Sequence, residues 1–102
     1  MNMVSNSSTG GRVSGRDARR LVSEHRATLV DVRSPAEFGM GHADGALNIP
    51  VQVLQGRMSD IPRDRPVVVY CASGARSANA AALLSAEGYK AFDAGGLHNM
   101  RG

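Results

Sequence analysis

The sequence contains only one cysteine, Cys71, and this scarcity excludes two kinds of site. A single cysteine cannot form an internal disulfide, which agrees with a reducing environment. There is no C-x-x-C pair, and the three histidines are scattered along the chain, so the spacing of a metal site is missing. The sequence therefore predicts neither a disulfide nor a metal site.

Long apolar runs are missing too. No apolar stretch approaches the roughly 18 residues that a membrane-spanning helix needs, and residues 1 to 20 lack the apolar region of a secretory signal. Nucleic-acid-binding proteins commonly have long runs of basic residues or basic residues interleaved with aromatic ones, and this sequence has neither pattern. We therefore expect a cytoplasmic protein that binds neither a membrane nor nucleic acid.

The net charge of +3 is concentrated at the start of the chain. Residues 1 to 26 carry five arginines and two acidic residues, whereas residues 27 to 102 carry seven basic and seven acidic residues. A basic segment of this kind can contact an acidic partner, nucleic acid or a membrane surface, but a solvated helix face is the simpler interpretation. The role of this segment stays open.

The length of 102 residues and a hydrophobic content of 42% indicate one globular domain. Residues 1 to 11 are polar and rich in Ser, Asn and Gly, so they bury too little apolar area to offset the entropy of ordering. We predict a flexible tail over residues 1 to 11 and a folded domain over residues 12 to 102.

Helices and strands alternate along the domain. The strands are short and apolar throughout, which is typical of a parallel sheet covered on both faces by helices, and the sequence therefore predicts an α/β fold. The predicted elements are a helix over about residues 15 to 26, a strand over 28 to 32, a short helix starting at a capping box of Ser34 and Glu37, a weakly indicated helix over 51 to 58, a strand over 67 to 70, a helix over 78 to 87, and a strand over 90 to 93 before a few helical residues.

Cys71 follows the clearest strand and precedes the Ala-rich helix. In open α/β sheets this is where ligands bind, because the loop turns backbone N–H groups inward and the helix adds partial positive charge. Gly74 can supply the positive φ that such a loop requires. A lone cysteine is more often a small buried hydrophobic residue, but this loop and Arg76 favour a reactive thiolate. The helix end contributes only roughly 0.3 to 1 kcal/mol, so converging N–H groups must supply most of any large pKa shift.

Several spaced motifs resemble the rhodanese family of sulfurtransferases over about residues 13 to 100. The resemblance implies a three-layer α/β fold with a mostly parallel sheet flanked by helices on both faces. The motifs are Leu29 to Arg33, Glu37-Phe38, Gly41 to Pro50, Val69 to Cys71, Arg76-Ser77, Gly88-Tyr89 and Gly95-Gly96-Leu97.

The resemblance also implies roles for individual residues. Cys71 would accept the sulfane sulfur, and Arg76 would close the loop and help hold an anionic donor. Asp31 and Arg33 would be structural residues near the site, and the segment from His42 to Asn48 would be part of the framework. The backbone amides that would cradle the persulfide and the substrate's oxyanion belong to Ala72, Ser73, Gly74, Ala75 and Arg76.

The length of the loop separates sulfur transfer from hydrolysis. Four residues lie between Cys71 and Arg76, as in sulfur-transferring rhodaneses, whereas the related phosphatases and arsenate reductases have five. The shorter loop is too small for a tetrahedral phosphate or arsenate. Hydrolytic activity is therefore disfavoured.

Two positions depart from the family pattern. Many relatives have a tryptophan after the Gly-Gly-Leu segment, where this chain has Met100, so either the final helix is abbreviated or the chain is part of something longer. The loop also lacks the additional cationic residues of members specialised for thiosulfate. The identity of the donor therefore stays open.

The sequence predicts a sulfurtransferase that needs no cofactor. Cys71 would take sulfur from a thiosulfate-like anion as a persulfide and pass it to cyanide, a thiol or a protein acceptor. The alternative is a rhodanese-like persulfide carrier or partner-binding module with little turnover of small molecules.

Overall fold

Four parallel strands form the centre of the computed structural model, which describes residues 11 to 101. The strands are β1 (Thr28–Asp31), β2 (Leu47–Asn48), β3 (Val67–Cys71) and β4 (Ala91–Gly96). They lie side by side in the order β2-β1-β3-β4, and each neighbouring pair is parallel. The predicted parallel sheet is confirmed.

Helices cover both faces of this sheet. On one face α1 (Gly15–His25) and α5 (Leu97–Arg101) pack together, and on the other face lie α3 (Leu54–Arg57) and α4 (Ala75–Ala86). The short helix α2 (Pro35–Gly39) follows β1. The predicted three-layer arrangement is therefore confirmed. Between residues 11 and 101, no helix is both long enough and apolar enough to cross a membrane.

All five residues of β3 are buried, and their alternation decides which face each side chain occupies. Val67, Val69 and Cys71 pack into the apolar core beneath α4, whereas Val68 and Tyr70 pack into the core beneath α1. Cys71 is the last residue of the strand. Its side chain therefore lies on the α4 face, at the carboxyl edge of the sheet.

Most predicted elements are present, with shifted ends. The capping box is confirmed, because the Glu37 amide donates to Ser34 Oγ over 3.2 Å and the Ser34 amide donates to Glu37 Oε1 over 2.9 Å. Helix α4 begins three residues before its predicted start, and β4 continues beyond its predicted end to Gly96. The weakly predicted helix over 51 to 58 is split into α3 and two flanking 3-10 turns, Val51–Val53 and Met58–Asp60. Strand β2 was not predicted, since its two residues carry no periodic pattern.

The start of the described chain pairs with the outer edge of β4. The Asp93 amide donates to the Gly11 carbonyl over 2.9 Å, and the Val13 amide donates to the Asp93 carbonyl over 2.9 Å. Arg12 thereby forms an isolated parallel bridge with Asp93. Residues 1 to 10 of the predicted tail lie outside the described residues, whereas Gly11 is held against the sheet.

Helices α1 and α5 approach each other closely at Gly15. Gly15 is buried, and a methyl group in its place would overlap the carbonyl oxygen of Asn99. Arg19 adds a second link, since its guanidinium donates to the Met100 carbonyl over 2.9 Å. The packing of α5 against α1 therefore requires a glycine at residue 15.

We expect Gly15→Ala to destabilise the fold by about 1 to 3 kcal/mol, because the new methyl group forces α1 and α5 apart. The matched control is Gly56→Ala in α3, where nothing lies within 4 Å of the added carbon. That variant should be neutral or more stable by up to about 1 kcal/mol, since alanine favours the helix. Urea unfolding measures both free energies, and equal midpoints for the two variants would contradict the close approach.

Candidate functional site

The candidate site is the turn that connects β3 to α4. Cys71 ends the strand and is fully buried, whereas Ala72 and Ser73 above it are exposed. Gly74 has a φ of 105°, as the sequence predicts, and α4 begins at the next residue. The turn therefore wraps around the sulfur atom and directs backbone groups toward it.

Hydrogen-bond donors converge on Cys71 Sγ. The Gly74 amide lies 2.9 Å away and the Ser77 amide 3.3 Å away, and Ser77 Oγ is within 3.4 Å. Burial raises the pKa of the Cys71 thiol, but hydrogen bonds from the Ser77 hydroxyl and from the amides of Ser77, Gly74 and Ser73 outweigh it. The net effect is a lowered pKa, which favours the thiolate.

Ser77 belongs to this site although sequence reasoning assigned it no role. The only signal was its place directly after Arg76. Its buried hydroxyl also lies 3.2 Å from the Gly74 carbonyl oxygen and 3.5 Å from the Gly95 carbonyl oxygen. A hydroxyl has one proton to donate. Ser77 can therefore donate to the thiolate, or accept from the thiol while it donates to a carbonyl.

Arg76 is held by Glu37 in a bidentate ion pair. The distances from Nη1 to Oε1 and from Nη2 to Oε2 are 2.8 and 3.0 Å. Arg76 and the Ser34 amide lower the pKa of Glu37 to about 2, and Glu37 in turn raises the pKa of Arg76. The capping box of α2 is thus tied to the first turn of α4. The charge of Arg76 is largely offset, and its predicted contact with an anionic donor stays a prediction.

Asp31 and Arg33 form a buried ion pair at the end of β1. Arg33 Nη2 lies 2.7 Å from Asp31 Oδ2 and 2.7 Å from the Gly41 carbonyl oxygen. The hydrogen bond to Asp31 raises the pKa of Arg33 despite burial. Asn48 donates to the carbonyl oxygens of both residues over 3.0 Å. These contacts join β1, β2 and the segment after α2, which supports the predicted structural role.

The side chains between residues 11 and 101 include no cluster of three or more His, Cys, Asp or Glu that could hold a metal ion. The groups assembled around Cys71 are amides, a hydroxyl and a guanidinium. Such groups stabilise negative charge on sulfur and on an anion bound next to it. The chemistry available to the site is therefore nucleophilic attack by a thiolate.

We expect Ser77→Ala to raise the pKa of Cys71 by about one unit, because a hydrogen bond to a charged group contributes about 1.5 to 3 kcal/mol and one unit corresponds to about 1.4 kcal/mol. The thiolate fraction then decreases at neutral pH. Ultraviolet absorbance of the thiolate measures the titration, with Cys71→Ser as the blank. Ser73→Ala keeps every backbone donor and should leave the midpoint unchanged. Equal midpoints for Ser77→Ala and the parent chain would remove the hydroxyl from the site.

Comparisons with known proteins agree with this geometry. The model of the family described as the rhodanese-like domain matches residues 14–99. A sulfurtransferase of Allochromatium vinosum is 45% identical over 85 residues, which cover 83% of this chain and 75% of that protein. The uncharacterized protein YqhL of Bacillus subtilis is 46% identical over 63 residues, and the match covers 62% of this chain and half of YqhL.

A solved structure shows the same fold over most of its length. The human single-domain sulfurtransferase superposes with a TM-score of 0.73 at 30% identity, and the match covers 88% of this chain and 93% of the human protein. The family model spans most of the described residues, including the Cys71 loop and the strands on either side of it. The chain therefore belongs to the family of rhodanese-like domains, which includes the single-domain sulfurtransferases.

Proposed function

We propose that the chain transfers a sulfane sulfur from an anionic donor to a nucleophilic acceptor through a persulfide on Cys71. The observation that carries the proposal is the convergence of the Gly74 and Ser77 backbone amides on Cys71 Sγ. These donors stabilise a thiolate, which is the attacking form of cysteine.

The reaction has two displacements, and thiosulfate illustrates the first. The Cys71 thiolate attacks the outer sulfur, the sulfur–sulfur bond of the donor breaks, and sulfite leaves with the bonding electron pair. Cys71 then carries a persulfide whose terminal sulfur is negatively charged. In the second displacement the acceptor attacks that terminal sulfur and the Cys71 thiolate is released. Cyanide as the acceptor would become thiocyanate.

The terminal sulfur needs the same kind of stabilisation as the thiolate. The amides of Ala72, Ser73, Gly74, Ala75 and Arg76 form the loop around it, and we assign them to the persulfide and to the donor's oxyanion. Backbone amides that converge on an anion bind it without any change of protonation. The proposed mechanism therefore uses backbone donors and no cofactor.

The burial of Cys71 restricts which donors can react. Because the residue is fully covered, the atom under attack must be small and must protrude from the donor. The outer sulfur of thiosulfate has this form, whereas the phosphorus of a phosphate ester is enclosed by four oxygen atoms. Together with the four-residue loop, this favours sulfur transfer over phosphate hydrolysis.

The acceptor must come from outside the chain, since no second cysteine is present to resolve the persulfide. Cyanide, a small thiol and a cysteine of another protein are the candidate acceptors. Thiols are kept reduced in the cytosol, which agrees with the expected cytoplasmic location.

Incubation with thiosulfate should add one sulfur atom to the chain, since the thiolate retains the outer sulfur when sulfite leaves. Mass spectrometry of the intact protein measures the gain, and a reductant should remove it. Cys71→Ser keeps the size and polarity of the side chain and should gain nothing. If the parent chain gains no reductant-sensitive sulfur, the mechanism is wrong.

The burial of Cys71 also favours a second candidate function, that of a persulfide carrier that transfers sulfur to a partner protein. A carrier would form the same persulfide but would produce negligible thiocyanate when cyanide is added. The rate of thiocyanate formation by the loaded protein therefore separates an enzyme from a carrier.

We expect Arg76→Ala to slow persulfide formation from thiosulfate more than it shortens the lifetime of the persulfide, because Arg76 is assigned to the donor. Glu37→Gln provides the complementary change, since it leaves the guanidinium in place without its compensating charge. Direct contact between Arg76 and the donor predicts a lower thiosulfate KM in Glu37→Gln. Equal rates of persulfide formation in the parent chain and in Arg76→Ala would remove Arg76 from the mechanism. A thiosulfate KM that rises in both Arg76→Ala and Glu37→Gln would indicate that the ion pair only supports the loop.

A further inference from the structure

Strand β4 ends beside the Cys71 loop with two glycines, Gly95 and Gly96, which have no side chains. Gly96 pairs with Cys71 across the sheet, and a shift of register between β3 and β4 precedes this pair. A Cβ atom on Gly96 would lie 2.6 Å from the Ala72 carbonyl oxygen and 2.9 Å from the His98 imidazole. A Cβ atom on Gly95 would lie 3.2 Å from a guanidinium nitrogen of Arg12. The two glycines therefore leave space for Arg12 and His98 next to the loop.

Arg12 brings a positive charge to the loop from a distant part of the chain. Its Nη2 atom lies 3.1 Å from the position that a Cβ atom of Gly74 would occupy. Only Nε is engaged, with Asp93 Oδ2 at 3.3 Å, and the other carboxylate oxygen accepts from the Gly95 amide over 2.8 Å. Within residues 11 to 101, Nη1 and Nη2 have no hydrogen-bond partner, and 58% of the side chain is exposed. Among the described residues, nothing occupies these two nitrogens, and both can donate to an anion.

His98 lies on the neighbouring side of the same loop. It is exposed in the first turn of α5, and its ring is packed against Gly96 next to the Ala72 carbonyl. An imidazole donates one hydrogen bond when neutral and two when protonated. His98 can therefore donate to an anion in either protonation state.

Two other arginines near the loop, Arg76 and Arg33, are already paired with carboxylates. Both Nη atoms of Arg76 bind Glu37, and Arg33 is buried against Asp31. The loop residues Ala72, Ser73 and Ala75 carry no charge. An anionic donor that approaches Cys71 therefore needs further cationic groups, besides Arg76, at the edge of the loop.

We propose that Arg12 and His98 form a subsite beside the Cys71 loop that binds the charged, oxygen-bearing end of an anionic sulfur donor while its outer sulfur faces Cys71. The inference rests on the proposed function and extends it to the selection of the donor. The subsite favours a dianion such as thiosulfate over a monoanion, because it adds the permanent positive charge of Arg12 and the hydrogen-bond donor of His98.

The test compares two donors with different charge. Thiosulfate is a dianion that releases sulfite, and benzenethiosulfonate is a monoanion that releases benzenesulfinate, with the same sulfur–sulfur bond broken in each. We expect Arg12→Ala and His98→Ala each to raise the KM for thiosulfate about 5- to 10-fold while kcat stays within about twofold. The KM for benzenethiosulfonate should rise less. Arg12→Lys should restore part of the thiosulfate KM, because it retains the charge.

Arg16→Ala is the matched control, since it removes one exposed arginine from α1 and the same amount of net charge. Its KM for thiosulfate should change by less than about twofold. Arg12→Ala and His98→Ala variants that behave like this control, or that lose both donors equally, would overturn the subsite. The unfolding midpoint of each variant shows whether its fold is intact.

Binding to the Cys71→Ser protein separates this inference from the proposed function. Isothermal titration calorimetry with thiosulfate measures affinity without any reaction, and Arg12→Ala in that background should weaken binding by a similar factor. If the parent chain forms no persulfide, the proposed function is wrong. The subsite is tested separately, by the thiosulfate affinity of the Cys71→Ser protein. Unchanged thiosulfate affinity would overturn the subsite alone.

Discussion

The hydrogen bonds that converge on Cys71 Sγ are the interaction on which the rest of the site depends. They require the sulfur at the end of a buried strand, a left-handed residue at Gly74, and the first turn of α4 directly after it. Burial by itself would keep Cys71 as a neutral thiol, because a charged group is costly in an apolar environment. The hydrogen bonds from Gly74 and Ser77 outweigh burial and lower the pKa of Cys71. The packing that buries the sulfur therefore also positions the groups that stabilise its thiolate.

Two ion pairs connect the loop and the neighbouring strand end to the framework. Glu37 binds Arg76 and also accepts from the Ser34 amide, so one carboxylate both caps α2 and braces the start of α4. Asp31 and Arg33 join β1 to the segment after α2 from a buried position. Both pairs have several hydrogen bonds, which hold their side chains in one geometry. Rigid support of this kind favours chemistry that depends on positioned donors.

The glycines around the site have different structural roles. Gly74 adopts a positive φ that turns its amide toward the sulfur, whereas Gly95 lies at the irregular register of β4, where φ is 79°. Gly96 is needed for space, since a side chain there would collide with Ala72 and His98. A bulge next to a site often redirects the chain that follows it. Here the irregularity brings β4 alongside the reactive loop and leaves that edge open to cationic side chains.

Local sequence determined the alternating order of helices and strands, the capping box at Ser34 and the position of Cys71 at a strand end, because these features depend on neighbouring residues and short periodicities. It also identified the loop and its length. Only the tertiary structure decided that Glu37 binds Arg76, 39 positions later, that the Ser77 hydroxyl faces the sulfur, and that Arg12 reaches the Cys71 loop from a distant part of the chain. The two-residue strand β2 was also decided by its neighbour β1. Contacts between distant residues depend on how strands align and helices pack, and a single sequence carries no local signal for that alignment.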